Sequence, residues 1–188
     1  MAPTRRFGPN VMRGYYGHPE ESASVLKDGW FATGDVGHID EQGHLYITDR
    51  KKDLFKLSNG KYIAPQQIES LLKQSEFVSQ VVVVGAGRKQ PAALIVPEWE
   101  ALRQALAENG EELPTGRTAL AGLPAAVKLV QGDISQLTRE LADYERIRKI
   151  ALLPDEFSID KGELTPTLKV KRRVVDEKFR ELIEALYS

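Results

Sequence analysis

Near the end of the chain, ELTPTLKVKRR (Glu163–Arg173) sets one lysine, Lys169, on a short polar approach after Pro166, with four basic residues in its last five positions. Read by itself, this stretch is a solvated basic face, because charged residues stay in water and basic runs line exposed surfaces. The other chemistry open to Lys169 is that of a point charge on a flexible stem reaching an anionic group. A second stretch, ATGD, ends in Asp35. A carboxylate after glycine closes turns, and it also accepts two hydrogen bonds from neighbouring hydroxyls, as on a ribose. A third, TDRKKDLFKLSNGK, packs five cations into fourteen positions. That suits edge strands guarded by lysine, or a hinge beside a phosphate-facing surface.

Other chemistries are closed by composition. There is no cysteine, which removes disulfides, thiolate nucleophiles and zinc–thiolate sites. The three histidines, His18, His38 and His44, lack the spacing of a helical metal pair and sit in turn-rich sequence. No G-x-S-x-G, H-E-x-x-H or Walker-type glycine loop is present, so nothing in the chain cradles a triphosphate by itself. A formal net charge of −1 gives no overall basic field for nucleic acid. No apolar run reaches the length of a membrane span and the start is not a signal peptide, so the expected compartment is the cytosol.

The elements that position these residues follow from hydrophobic period. Val36–Asp40 and Gly43–Thr48 read as short strands around the turn DEQG. DLFKL and KYIAP read as a second hairpin around SNG, whose Asn-Gly pair supplies positive φ angles for a tight turn. Pro65 then opens a short helix with Ile68, Leu71 and Leu72 on one face. VSQVVVVG and AALIVP are continuous aliphatic runs that suit buried strands. Trp99, Leu102 and Leu106 share a helical face. GEELPTGRTALAGLP reads as a Gly/Pro-rich loop. Val127, Val130, Ile134, Leu137 and Leu141 mark an amphipathic helix with Gly132 inside it. IRKIALLP is a further strand. RRVVDEKFRELIEALY is one closing helix with Val175, Phe179, Leu182 and Leu186 inward. Strands and helices mixed in this way predict an α+β fold: a small mixed sheet with packed helices and an N-terminal β-hairpin.

In their order and spacing, GWFATGD, then GHLYITDRKKDLFKLSNGKYIAPQQIE, then LTPTLKVKRR resemble the C-terminal part of the adenylate-forming acyl-CoA synthetases (AMP-dependent synthetases and ligases). Among these the chain looks most like the bacterial long-chain fatty acid–CoA ligases, from GPNVMRGYYGHPE to the last helix. The resemblance implies two parts: residues 1–48, a strand-rich remnant of the end of a large adenylation domain, and residues 49–188, the small mobile C-terminal domain. It implies ATP-dependent joining of a fatty acid to AMP, followed by transfer of the acyl group to coenzyme A.

Carried over motif by motif, Asp35 and Arg50 would bind the ribose of ATP, and Lys52 would be the hinge. Lys56 would lie on the face presented during thioester formation, with Gly60 at the approach of the coenzyme A arm. Lys169 would reach into the site during adenylation. Many family members have glycine before that lysine, where this chain has Leu168. The phosphate loop, the fatty acid tunnel and the acidic residue that holds Mg²⁺ belong to the large domain. The chain is therefore expected to be an inactive fragment by itself, its partners being that domain and the substrates fatty acid, ATP and coenzyme A. The full-length enzyme would be cytoplasmic, or peripheral to a membrane. A stand-alone binding or regulatory module derived from such a domain is the rival reading. A nucleic-acid binder using KVKRR is a further one, opposed by the even charge and the lack of aromatic stacking motifs.

Overall fold

The computed structural model describes residues 2–188, and its chain divides into two compact units, Met1–Leu54 and Phe55–Ser188. The first unit is built on one long strand. Strands β1 (Ala2–Phe7), β2 (Leu26–Lys27), β3 (Trp30–Ile39) and β4 (Leu45–Arg50) form an antiparallel sheet, and helix α1 (Pro19–Val25) precedes β2. β3 pairs with all three other strands: its first residues meet β2, and its last five meet β4. It is longer than the sequence pattern suggested because polar residues of GWFATGD lie within it. Gly37 allows β4 to come close, since a Cβ there would strike the backbone carbonyl of Tyr46.

The second unit begins with the hairpin β5 (Phe55–Lys56) and β6 (Tyr62–Ile63), followed by α2 (Pro65–Leu72). Its centre is a mixed sheet of β7 (Val78–Val84), β8 (Ala92–Pro97) and β9 (Ile150–Leu152), in the order β7-β8-β9. β7 and β8 run antiparallel, β8 and β9 parallel. The parallel pair needs a long crossover, supplied by α3 (Trp99–Glu108), α4 (Arg117–Ala121) and α5 (Pro124–Leu137). The chain closes with α6 (Arg172–Lys178) and α7 (Arg180–Tyr187).

The aliphatic runs are continuous because both faces of this sheet are covered. Val81, Val83, Ala93, Ile95, Ile150 and Leu152 pack with Ile68, Leu102, Val130 and Ile134 on one side. Val82, Val84, Leu94, Val96, Ala151 and Leu153 pack with Phe157, Leu164, Val175 and Ile183 on the other. The side-chain period of two along each strand sends neighbours to opposite cores.

Three expectations need correction. Within the Gly/Pro-rich stretch, residues 117–121 form α4, because Leu120 and Ala121 are buried and Arg117 lies 5.5 Å over the ring of Trp99. The amphipathic helix ends at Leu137, where the Thr138 hydroxyl donates to the Ile134 carbonyl, so Leu141 falls in a turn. The closing helix is two helices, broken at Phe179, whose ring meets Phe157 edge-on. The break shifts the helical phase: Ile183 is buried, and Leu182 is exposed.

Leu94 and Ile95 are both fully buried, on opposite faces. We predict that Leu94→Ala and Ile95→Ala each lower stability by about 2–5 kcal/mol, read as the midpoint of urea unfolding. A loss below about 1 kcal/mol at either position would show that one face of the sheet is not a packed core.

Candidate functional site

Among the described residues one loop geometry recurs three times. In each case a residue donates its N–H to the carbonyl four positions on, and the residue three positions on donates back to the first residue's carbonyl. Asp40 N–H bonds the His44 carbonyl (3.0 Å) and Gly43 N–H bonds the Asp40 carbonyl (3.1 Å). Leu57 N–H bonds the Lys61 carbonyl (2.8 Å) and Gly60 N–H bonds the Leu57 carbonyl (3.0 Å). Thr165 N–H bonds the Lys169 carbonyl (2.7 Å) and Leu168 N–H bonds the Thr165 carbonyl (2.8 Å). This is the three-residue hairpin loop whose last loop residue is left-handed. Gly43 (φ +87°) and Gly60 (φ +85°) take that conformation without a Cβ clash. In the third loop it falls to Leu168, at φ +58° and with its side chain exposed. For an L-residue such a conformation costs about 1–2 kcal/mol. In the SNG loop only Gly60 has positive φ, not Asn59 as the dipeptide suggested; three loop residues, rather than two, relieve Asn59 of that requirement.

Lys169 stands at the exit of the strained loop. Its backbone N–H is held by the Thr165 hydroxyl at 3.0 Å, and Leu164 pairs with Val170 across the hairpin. Its side chain is exposed, and among the described residues no carboxylate pairs with its ammonium.

The two ends of this hairpin are fastened by buried carboxylates. Glu163 is 1% exposed; it accepts from the Ser158 N–H at 2.9 Å and from Lys178 Nζ at 2.8 Å. On the outgoing side, Arg172 donates to Glu69 Oε2 at 2.8 Å and to the Val83 carbonyl at 3.1 Å, while Glu69 Oε1 accepts from the Val83 N–H at 2.8 Å. Arg172 is therefore not one of a set of equivalent solvated charges, as the basic run suggested. Lys171, beside it, is exposed.

Lys56 and Gly60 share the β5–β6 hairpin. Lys56 Nζ lies 5.9 Å over the Tyr62 ring, and a Cβ at Gly60 would sit 3.8 Å from Lys56 Cε. This hairpin is tied to the loop between β7 and β8: Gly87 N–H bonds the Lys56 carbonyl (2.8 Å) and Ser58 N–H bonds the Arg88 carbonyl (2.9 Å). The loop is gripped in turn by α7. Tyr187 donates to the Gln90 carbonyl at 2.8 Å, Arg88 covers the Tyr187 ring and pairs with Glu184. Burial pushes the Tyr187 phenol up to about 12, with the Arg88 charge opposing. Gly85 is required here, since a Cβ would fall 2.5 Å from the Tyr187 hydroxyl.

In the first unit, Asp35 and Arg50 are direct partners across β3 and β4, with Arg50 Nε 3.4 Å from Asp35 Oδ1. Directly opposed residues in a sheet present their side chains on one face. Gly34, at φ +80°, precedes Asp35, and its carbonyl accepts from the Lys51 N–H at 2.8 Å. Lys52 is exposed in the turn that follows, where Asp53 and Leu54 donate to the Arg50 carbonyl. The structure thus brings together Asp35 with Arg50, and Lys56 with Gly60, and gives Lys169 its own hairpin. Sequence reasoning missed Glu69, Glu163 and Lys178. The available signal was Glu69 itself, a charge adjoining Ile68 on the inward side of α2.

Comparison with known proteins gives one family match, described as the AMP-binding enzyme C-terminal domain, over residues 52–188. The long-chain-fatty-acid–CoA ligase FadD15 of Mycobacterium tuberculosis is 39% identical over 181 residues, 96% of this chain and 30% of the relative. Human long-chain-fatty-acid–CoA ligase 1 is 40% identical over 185 residues, 96% of this chain and 26% of the relative. The chain thus spans under a third of the length of these relatives. Among solved structures, the adenylation domain of a carboxylate reductase from Mycobacterium chelonae superposes with a TM-score of 0.75 at 31% identity, over 93% of this chain and 26% of that one.

The three loops generate a prediction. Leu168→Gly removes the left-handed strain of about 1–2 kcal/mol and adds a glycine entropy cost of about 0.5–1 kcal/mol. Stability in urea is expected to be unchanged or to rise by up to about 1.5 kcal/mol, whereas Leu168→Val, β-branched, is expected to lower it. A loss above about 1 kcal/mol on Leu168→Gly would mean that the leucine side chain itself holds the loop.

Proposed function

Because this chain belongs to the family of AMP-binding enzyme C-terminal domains, we propose that it is the C-terminal portion of an ATP-dependent long-chain fatty acid–CoA ligase. The observation that carries the proposal is identity of 39–40% with such ligases across 96% of the chain. In this reading the first unit ends a large adenylation domain and the second is the small mobile domain. The end of β4 at Arg50, the family match from Lys52 and the division after Leu54 all support a boundary in this region.

The proposed chemistry has two steps. In the first, a fatty acid carboxylate oxygen attacks the α-phosphorus of ATP, and pyrophosphate leaves with the electrons of the broken P–O bond. Asp35 accepts hydrogen bonds from the ribose hydroxyls, and Arg50 fixes the Asp35 carboxylate and reaches the ribose. Lys169 places its ammonium against the carboxylate and the α-phosphate, where charge is redistributed. That is positioning and electrostatic work, to which an exposed ammonium that pairs with no carboxylate among the described residues is suited. In the second step the thiol of coenzyme A loses its proton and attacks the acyl carbonyl, and AMP leaves. The unit turns about Lys52 and presents the Lys56 hairpin instead, with Gly60 leaving room for the pantetheine arm. Mg²⁺, which would neutralise the departing phosphates, is assigned to residues outside this chain.

The test is a separation of half-reactions in the full-length enzyme. Lys169→Ala is expected to slow acyl-adenylate formation by roughly two to three powers of ten, a loss of about 3–4 kcal/mol. It should leave conversion of supplied acyl-adenylate and coenzyme A near normal. Lys56→Ala should give the opposite pattern with a smaller loss, and Lys171→Ala neither. If Lys169→Ala matches Lys171→Ala in adenylation, Lys169 is a solvated charge and the proposal fails.

A further inference from the structure

β7 is an edge strand of its sheet, so one row of its N–H and C=O groups has no strand partner. An open row of this kind must be covered. At Val83 the cover is a pair of side chains: Glu69 Oε1 takes the Val83 N–H at 2.8 Å, and Arg172 gives a guanidinium N–H to the Val83 carbonyl at 3.1 Å. The two side chains are locked to each other at 2.8 Å, with 11% of Glu69 and 20% of Arg172 side-chain surface exposed. They do for one residue what a neighbouring strand would do. A guanidinium is suited to this because its planar fork donates in two fixed directions at once, which an ammonium does not match.

The location of the pair gives it a consequence. Arg172 is three residues after Lys169 and opens α6. Between them, Lys171 N–H bonds the Glu163 carbonyl at 2.8 Å, closing the hairpin that ends in the Leu168 turn. The outgoing strand of the lysine hairpin is therefore tied through Arg172 to the backbone of the central sheet. Asp176, one turn on in α6, also lies near Arg172; desolvation pushes its carboxyl up, and the Arg172 charge opposes this.

We infer that Glu69 and Arg172 are positioning residues for Lys169, setting the register and reach of its hairpin by clamping it to Val83. The inference rests on the reading of Lys169 as the adenylation lysine. A shift of about 1 Å in such a group can cost about a hundredfold in rate.

The test uses the full-length enzyme, with Lys169→Ala run beside each variant. Arg172→Met keeps the aliphatic stem and loses the fork. It is expected to slow acyl-adenylate formation roughly ten- to a hundredfold, with thioester formation from supplied acyl-adenylate within about twofold. Amide hydrogen exchange in peptides covering residues 163–171 should accelerate, while β8 stays protected. The double variant Glu69→Gln/Arg172→Met removes the unpaired carboxylate while keeping an acceptor for the Val83 N–H. It should recover stability without recovering adenylation. If Arg172→Met does not fold, Arg172→Lys takes its place, with the same pattern and a smaller loss.

Equal loss of both half-reactions would overturn the inference. So would normal adenylation in the arginine variant, or adenylation that recovers together with stability in the double variant. If Lys169→Ala itself leaves adenylation unchanged, the reading of Lys169 falls, and the clamp then has nothing to position.

Discussion

The second unit depends on what happens at the end of β7. Val83, in an edge strand, has its backbone closed by Glu69 from α2 and Arg172 from α6. The chain then turns at Gly85 into the loop that holds the β5–β6 hairpin through Gly87 and Arg88. One short run of backbone, residues 83–88, thus anchors the hairpin of Lys169 on one side and the hairpin of Lys56 on the other. The proposed roles of those lysines differ, but both are mounted on a sheet whose two faces are buried. Cores of this kind are close-packed and transmit displacement rather than absorb it.

Buried charge is a costly way to fasten a loop. Taking a carboxylate and a cation out of water offsets much of their attraction, and apolar packing of the same volume is often at least as stable. Glu69 with the half-buried Arg172, and the buried Glu163 with the exposed Lys178, nonetheless both occur at the base of the Lys169 hairpin. What such pairs supply is direction: fixed donors and acceptors that admit one arrangement. The left-handed Leu168 adds a further constraint, since two other loops of the same shape use glycine. In the second unit Leu168 is the non-glycine residue described with positive φ, and it adjoins the exposed Lys169.

Much of the fold was legible. The runs VVVV within VSQVVVV and AALIV within AALIVP suited buried strands, because aliphatic residues at successive positions point to both faces and need cover on each. The face of Trp99, Leu102 and Leu106 emerged as read. What was not legible depended on interactions distant in sequence. The five-residue α4 is held by Leu120 and by the Arg117–Trp99 contact, which no local period reveals. The break at Phe179 was hidden because the apolar spacing continues through it, while the ring that Phe179 meets there, Phe157, is distant in sequence. In the candidate site, motif order pointed to Asp35, Arg50, Lys56, Gly60 and Lys169. The partners Glu69 and Glu163 are separated from Arg172 and Lys178 by 103 and 15 residues. Arg172 looked like its exposed neighbours because solvation is a property of the fold rather than of residue type.

Because one sheet carries both lysine hairpins, the proposed change between half-reactions requires that the second unit move as one body, without rearrangement within it. The chain has no cysteine, so spin labels can be placed on it at chosen cysteines. The direct measurement is the distance between labels at Asn59 and Thr167, both on exposed loops. It would be taken in the full-length enzyme, with other reactive cysteines removed, first with ATP and fatty acid and then with AMP and coenzyme A. A separation that stays within about 2 Å between the two conditions is the predicted result. A larger shift would show that the hairpins move independently, and that the β7 anchor does not make the unit one body.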